Sequence, residues 1–236
     1  MRKRRLILTC EHAGPRVPRQ YAWLFQGTAR VLTTHRGYDP GALWLAERLA
    51  RELPDAGALL RTRVSRLLVE VNRSPHHPRL FSEFSRRLTP DQKQRVLRRY
   101  YLPHRDAVRA RVARAAAEGA TAIHVGVHSF TPVLDGVRRE ADIGLLYDPS
   151  RRRERELAVH WCEIIRSLEP GLRVRRNYPY RGASDGLTTS LRQEFPASRY
   201  VGIELEVNSG LLVGRAQTRR EVCRVLAQSL GAALRE

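Results

Sequence analysis

Five separated segments of the chain place histidine, carboxylate or arginine side chains directly after apolar runs. They are Glu11-His12, Asp39, Asn72-Arg73, His128 and Glu206. Two histidines and one carboxylate with an open fourth position form a common catalytic zinc set. A further carboxylate can take a proton from the attacking water, and an Asn-Arg pair can hold a substrate carboxylate. No short motif groups these residues, so only the fold can bring them together.

The central segment is Ile123–Thr131, read as I-H-V-G-V-H-S-F-T. In its first six residues, the β-branched Ile and Val alternate with His and Gly. This period of two predicts a strand, and Gly126 would let another group approach its backbone closely. His128 and Ser129 then lie at the carboxyl end of the strand, where ligands bind in open α/β sheets. We interpret His128 as a metal ligand; the alternative is a core histidine bonded to a backbone carbonyl.

The remaining elements follow from the same patterns. Predicted strands are Arg5–Cys10, Val31–Thr34, Ala58–Thr62, Leu67–Val71, Ile143–Tyr147, Leu172–Arg175 and Tyr200–Val207. Predicted helices are Gly41–Leu53, Thr89–Gly119 (one helix, or two broken near Pro103), Glu154–Leu168 and Thr218–Leu234. Asp39 before Pro40 is typical of a helix N-cap, so it has a structural explanation besides a role as ligand. Alternation in the last strand places Glu204 and Glu206 on one face.

Composition limits the class of protein. The chain has 236 residues without a linker or repeat, and we expect one α/β domain over residues 1–236. Its net charge is 43 − 24 = +19, but nearly all the cations are arginines spread over the whole chain. We therefore expect attraction for small anions rather than a dedicated nucleic-acid partner.

The same composition bears on compartment and redox state. The three cysteines are widely spaced, which favours neither a disulfide framework nor a cysteine zinc site. No run of 18 or more uncharged apolar residues is present, and Leu6–Cys10 is too short for a signal-peptide core. We expect a cytoplasmic protein without a membrane partner.

Seven segments resemble the N-formylglutamate amidohydrolase family. They are C-E-H-A-G-P-R-V-P, H-R-G-Y-D-P-G-A, S-R-L-L-V-E-V-N-R-S-P, H-V-G-V-H-S-F-T-P-V, A-D-I-G-L-L-Y-D, N-Y-P-Y-R-G-A-S-D-G-L-T-T and G-I-E-L-E-V-N. The resemblance implies an α/β three-layer sandwich, with a mixed β-sheet flanked by helices, of the zinc carboxypeptidase (phosphorylase/hydrolase-like) type. It also implies one Zn²⁺ ion.

The resemblance implies a role for each polar segment. His12, Asp39 and His128 would bind zinc, and Glu206 would be the general base. Zinc carboxypeptidases keep their first histidine and acid three residues apart, whereas here Glu11 is adjacent to His12 and Asp39 is distant. Both acids therefore stay open as the third ligand, and the resemblance favours Asp39.

The function expected is a zinc-dependent amidohydrolase of amino-acid catabolism that removes an N-acyl group, formyl being one candidate, from an acidic amino acid such as N-formylglutamate. Asn72 and Arg73 would clamp one substrate carboxylate and Arg139 or Arg181 a second, with Arg66 as an alternate. Glu204 would lie one layer deeper than Glu206, paired with an arginine or orienting a ligand histidine. Two alternatives remain: a zinc amidase or peptidase on another N-acyl or peptide substrate, and a basic nucleic-acid-binding protein.

Overall fold

The computed structural model describes residues 3–53 and 56–235. Its strands are β1 (Arg4–Cys10), β2 (Leu60–Arg61), β3 (Thr121–Phe130), β4 (Val133–Leu134), β5 (Val137–Arg138), β6 (Ile143–Leu146), β7 (Val174–Arg176) and β8 (Tyr200–Asn208). Its helices are α1 (Ala42–Glu52), α2 (Pro90–Val96), α3 (Leu102–Ala117), α4 (Arg152–Leu168), α5 (Leu187–Glu194), α6 (Ser209–Val213) and α7 (Ala216–Arg235).

Six strands form one mixed sheet in the order β2-β1-β3-β8-β6-β7. Strands β2, β1, β3 and β8 run parallel to one another. Strand β6 pairs antiparallel with β8 and parallel with β7, while β4 and β5 form a separate hairpin. The carboxyl ends of β1, β3 and β8 therefore meet at one edge of the sheet.

Helices cover both faces of the sheet because alternate residues of the buried strands point to opposite sides. On one face Leu8 and Val125 pack with α1, α4 and α7 in the largest apolar cluster. On the other face Ile7 packs against Val108 of α3 and Leu191 of α5. The predicted α/β architecture, a mixed sheet between two layers of helices, is confirmed.

Two predicted strands are wrong. Val31–Thr34 lies largely in a 3-10 helix, Ala29–Thr33. Leu67–Val71 forms turns and irregular chain, and its apolar side chains pack in a second cluster with Phe25 and Tyr101. An apolar run shows only that a segment is buried. Its side chains can be buried in a loop region as well as in a sheet, so the run alone does not predict a strand. The predicted strand Ala58–Thr62 shortens to the two residues of β2.

The long helical stretch begins where expected, at Thr89. The Thr89 hydroxyl accepts a hydrogen bond from the Gln92 amide at 3.3 Å, and the Gln92 side chain accepts one from the Thr89 amide in return. A π-helical turn, Leu97–Tyr101, joins α2 to α3. Pro103 directly follows this π-helical turn, at the start of α3, and the helical stretch continues through it.

Cys10, Cys162 and Cys223 are buried and free. Within residues 3–53 and 56–235, no helix combines the length and the apolar character needed to cross a bilayer.

Candidate metal centre

Three buried side chains converge at the sheet edge formed by β1 and β3. His12, Asp39 and His128 each offer one ligand atom, and these atoms all lie within 4.8 Å of one another. Asp39 Oδ2 lies 3.2 Å from His12 Nδ1 and 2.9 Å from His128 Nδ1. Both imidazole rings therefore present the same nitrogen, Nδ1, to one carboxylate oxygen.

The sheet positions the two histidines, and a loop delivers the acid. His12 lies two residues beyond β1 and His128 lies near the end of β3, its neighbour in the sheet. The Asp39 amide donates to the His12 carbonyl at 3.1 Å, which holds the loop against the end of β1. The predicted N-cap role of Asp39 is wrong: Gly41, with a φ of 82°, caps α1. The Asp39 side chain is thus free to serve the cluster.

A carboxylate stands behind each histidine ring. His12 Nε2 lies 2.5 Å from Glu70 Oε1. His128 Nε2 lies 3.2 Å from Glu11 Oε2, in ion-pair contact but outside hydrogen-bond geometry. Carboxylates on the far nitrogen are the usual means of orienting a metal-ligating histidine. Glu11 therefore lies on the far side of His128 from Asp39, where it supports that ring.

The neighbouring acids favour the protonated form of both rings. Burial and Arg66 lower the pKa of His12, but Glu70 and Asp39 outweigh them and raise it above its usual value. Burial likewise opposes the charge of His128, yet the hydrogen bond with Asp39 and the negative charges of Asp39 and Glu11 hold its pKa well above the usual range. The cluster thus creates a field that stabilises positive charge between these carboxylates.

Two buried partners of the cluster, Glu70 and His104, were not foreseen from the sequence. Glu70 Oε2 accepts hydrogen bonds from Arg66 Nε at 2.7 Å, and Arg66 Nη1 lies 3.3 Å from Asp39 Oδ1. His104 Nε2 lies 3.1 Å from Glu11 Oε1. A carboxylate inside the apolar run L-L-V-E-V was the available signal for Glu70, because such a group needs a partner when buried. His104 shares the buried face of α3 with Val108.

Glu206 faces the cluster from the next strand. It is the register partner of His128 in the parallel pair β3 and β8. Its side chain is buried, and Oε2 has no hydrogen-bond partner among the described residues. Burial, offset in part by His128, raises the pKa of Glu206 to about 8. Among the described residues at this edge of the sheet, Glu206 Oε2 and His128 Nε2 are the buried side-chain atoms without a hydrogen bond.

Gly144 allows the polar loop 177–182 to cover this edge. It is the register partner of Glu206 in β6, and a Cβ at Gly144 would lie 1.9 Å from the Tyr178 carbonyl oxygen. A second close approach occurs at Gly182, where a Cβ would lie 2.1 Å from the Tyr147 amide nitrogen. Both glycines are needed for the loop to pack against β6 beside Glu206.

The segment Asn72-Arg73 is tied to the chain that follows this loop, at Asp185 and at the start of α5. Asn72 accepts from the Leu187 amide at 2.9 Å and donates to Glu204 Oε1 at 3.2 Å. Arg73 donates to the Asp185 carbonyl. Glu204 is half-buried, more exposed than Glu206, and its hydrogen-bond partner is an amide. The expectation that it lies deeper, beside an arginine or a ligand histidine, is therefore wrong.

Arg139 and Tyr180 form a stacked pair near the same edge. Arg139 is buried, its guanidinium lies 5.0 Å from the centre of the Tyr180 ring, and Nη2 donates to the Tyr180 hydroxyl at 3.0 Å. Tyr180 is 46% exposed. Arg181, the other predicted carboxylate partner, is exposed.

Comparison with known proteins agrees with this fold. The family model described as N-formylglutamate amidohydrolase matches residues 4–213. The gene product Atu2144 from Agrobacterium tumefaciens is 30% identical, with a TM-score of 0.83 over 99% of this chain and 92% of its own. An N-formylglutamate amidohydrolase from Ralstonia eutropha JMP134 is 19% identical, with a TM-score of 0.65 over 98% of this chain and 95% of its own. No curated protein matches the chain.

The family match and the fold agree along nearly the whole sequence. The matched residues 4–213 include every candidate site residue, from Glu11 to Glu206. The 30% identical structure from Agrobacterium tumefaciens superimposes over the same elements and beyond them into α7. This chain therefore belongs to the N-formylglutamate amidohydrolase family.

Proposed function

We propose that this protein is a metal-dependent amidohydrolase that removes an N-acyl group, with formyl as the first candidate, from an acidic amino acid. One observation carries the proposal. Three buried ligand atoms of His12, Asp39 and His128 lie within 4.8 Å of one another, and the register partner of His128 is a buried glutamate with an unpartnered oxygen. This arrangement supports the assignment of His12, Asp39 and His128 as ligands and of Glu206 as general base.

The donor set fits a zinc ion. Two imidazole nitrogens and one carboxylate oxygen are the protein ligands of several catalytic zinc sites. Both rings have a carboxylate at Nε2, Glu70 for His12 and Glu11 for His128, which leaves Nδ1 of each as the ligand atom. We assign Asp39 as the third ligand, since Glu11 supports the far side of His128. The chemistry that the ion supplies when bound is polarisation of the acyl carbonyl and acidification of the attacking water.

Glu206 moves the proton. Its free Oε2 takes a proton from the water as the water oxygen adds to the acyl carbon. The carbon–nitrogen bond then breaks, and the same proton passes from Glu206 to the departing amine nitrogen. The products are the carboxylic acid of the acyl group, formate for a formyl substrate, and the free amino acid.

Arginines at the rim hold the substrate carboxylates. Arg139 is fixed by stacking on Tyr180 and Phe130 and presents a charge that has no acidic partner among the described residues. We therefore propose that Arg139 binds one of the two carboxylates of the substrate. Arg73 remains the candidate for the second, with Asn72 holding the adjoining loop rather than contacting substrate through a free amide. Arg66 is engaged by Asp39 and Glu70, and Arg181 is a surface alternate.

Metal analysis and a release assay test the proposal together. The purified protein is analysed for bound metal and then assayed on N-formyl and N-acetyl derivatives of glutamate, aspartate, glutamine and leucine, with and without a chelator. We expect about one zinc per chain, release of the acyl group from the acidic derivatives, and loss of activity with the chelator. Turnover of neutral derivatives alone would point to another amidase or peptidase substrate.

Histidine variants check the ligand assignment. His12→Ala and His128→Ala should each lose most of the metal, and His35→Ala, which removes an exposed histidine, is the matched control. Full metal occupancy in either ligand variant would contradict the assignment. Steep salt-dependent retention of DNA by a metal-free, inactive protein would instead favour the nucleic-acid-binding alternative.

A further inference from the structure

A basic cavity opens beside the candidate metal centre, and we call it the arginine groove. Its walls include four arginines, Arg36, Arg66, Arg79 and Arg86, and two acids, Glu70 and Glu83. Its volume is about 370 Å³, which lies in the range of small-molecule sites, roughly 300–1,000 Å³. The cavity is therefore larger than one bound carboxylate requires.

The inner wall of the groove is shared with the metal centre. Glu70 lines the groove and also contacts His12 Nε2 at 2.5 Å. Arg66 lines it and lies 3.3 Å from Asp39 Oδ1. Each of these residues separates the groove from a candidate ligand by a single side chain. The groove and the metal centre are therefore neighbours that share Glu70 and Arg66 as a common wall.

Two of the four arginines are left without an acidic partner. Arg36 pairs with Glu83, and Arg66 pairs with Glu70. In the part of the chain that the structure describes, neither Arg79 nor Arg86 has a carboxylate within ion-pair distance, and both are exposed. The groove therefore offers two free guanidinium groups, each able to bind a carboxylate through two parallel hydrogen bonds.

The positive charge continues outward from the groove. A second cavity of about 450 Å³ shares Pro78, Phe81 and Arg86 with it. This second cavity is lined also by Lys93, whose ammonium lies 5.6 Å from the centre of the Phe81 ring. No aspartate or glutamate is found among its described lining residues. The apolar Phe81 and Pro78 between the cations suit the aliphatic stems of acidic side chains.

We propose that the arginine groove binds the carboxylates of an acidic peptide whose N-acylated first residue lies at the metal centre. This inference rests on the proposed amide hydrolysis and names a larger substrate class for it: N-acylated glutamyl or aspartyl peptides. The reaction is the same hydrolysis, with a peptide amine in place of a free amino acid as the leaving group. Arg79 and Arg86 confer the preference for an acidic residue after the acylated one.

Matched dipeptides test this preference. The kcat/KM of N-formyl-Glu-Glu is compared with that of N-formyl-Glu-Gln, which differs only in the second charge, for the native protein and for the double variant R79Q/R86Q. We expect the native protein to favour the acidic dipeptide, and the variant to lose about tenfold of that preference, the scale of two solvent-accessible charged contacts. An equal preference in both proteins would overturn the proposal.

A third cavity, which is also basic, supplies the matched control. It has a volume of about 550 Å³ and includes Arg95, Arg98 and Arg99, but shares no lining residue with the groove. The double variant R98Q/R99Q removes the same number of charges as R79Q/R86Q from a different place on the surface, and it should leave the kcat/KM ratio of the two dipeptides unchanged. A fall of the preference in R98Q/R99Q equal to that in R79Q/R86Q would mean that net charge alone sets the preference, which contradicts the groove.

Direct binding separates failure of the groove from failure of the proposed function. Titration calorimetry with unacylated triglutamate requires no turnover. Binding that weakens in R79Q/R86Q and not in R98Q/R99Q supports the groove even if no amide is hydrolysed. Hydrolysis of N-formylglutamate without triglutamate binding refutes the groove alone. Displacement of triglutamate by a short DNA at far lower concentration would assign the groove to nucleic acid and overturn the peptide proposal.

Discussion

Replacement of Glu206 by glutamine tests the arrangement of the centre most directly. Glutamine keeps the shape of the side chain but cannot accept a proton at its amide. Since acid–base catalysis contributes about 10²–10⁴-fold, kcat should fall by that factor, an increase of about 2.7–5.4 kcal/mol in the activation free energy. The carboxyl already has an unpartnered buried oxygen, so the free energy of unfolding should stay within about 1 kcal/mol of the native value.

The assay combines turnover, metal content and denaturant unfolding on the same preparation. Glu204→Gln is the matched control, because it lies two residues earlier on the same face of β8 and contacts Asn72 instead of the cluster. A glutamine there can still accept the Asn72 hydrogen bond. We expect Glu204→Gln to lose less than about tenfold in kcat, since it holds no proton in the reaction.

Three results would refute the reasoning. Native kcat in a fully metal-loaded Glu206→Gln protein would show that another group moves the proton. Abolished turnover in Glu204→Gln, with Glu206→Gln active, would show that the catalytic carboxylate is displaced by two positions in β8. Loss of metal from Glu206→Gln would instead make Glu206 a ligand, which contradicts its assignment as base.

Three further predictions concern the surroundings of the centre. Glu70→Gln should weaken metal affinity by about 10–100-fold in chelator competition, because the carboxylate orients a ligand histidine; unchanged affinity would contradict that role. Gly144→Ala should destabilise the fold by about 1–3 kcal/mol or more in denaturant unfolding, since its Cβ would meet the Tyr178 carbonyl at 1.9 Å. Gly171→Ala, where only a flexible side-chain end lies near, is its control and should be close to native. Arg139→Lys keeps the charge but loses the planar fork, so KM for an acidic substrate should rise more than kcat falls; unchanged kinetics would move the carboxylate partner elsewhere.

The regular elements near the centre were predictable because their patterns are local. In β1, β3 and β8, successive side chains point to opposite faces of a sheet that lies between two helical layers. This alternation correctly predicted that Glu204 and Glu206 lie on one face of β8. The capping box at Thr89 acts within four residues, so it too could be read from the sequence. By contrast, Leu67–Val71 has the composition of a strand and forms a loop, because its apolar residues find a core outside the sheet.

The sequence by itself determined which chemical groups are available and, through strand periodicity, that His128 and Glu206 end up near strand termini. It could not determine their partners, because ion pairs and hydrogen bonds join residues far apart in the chain. Glu70 meets His12 across 58 positions, and His104 meets Glu11 across 93. Only the parallel pairing of β1, β3 and β8 decided that these groups share one edge. Once it did, the cost of burying unpaired charge required Glu11 and Glu70, the carboxylates behind the two histidine rings, to find partners.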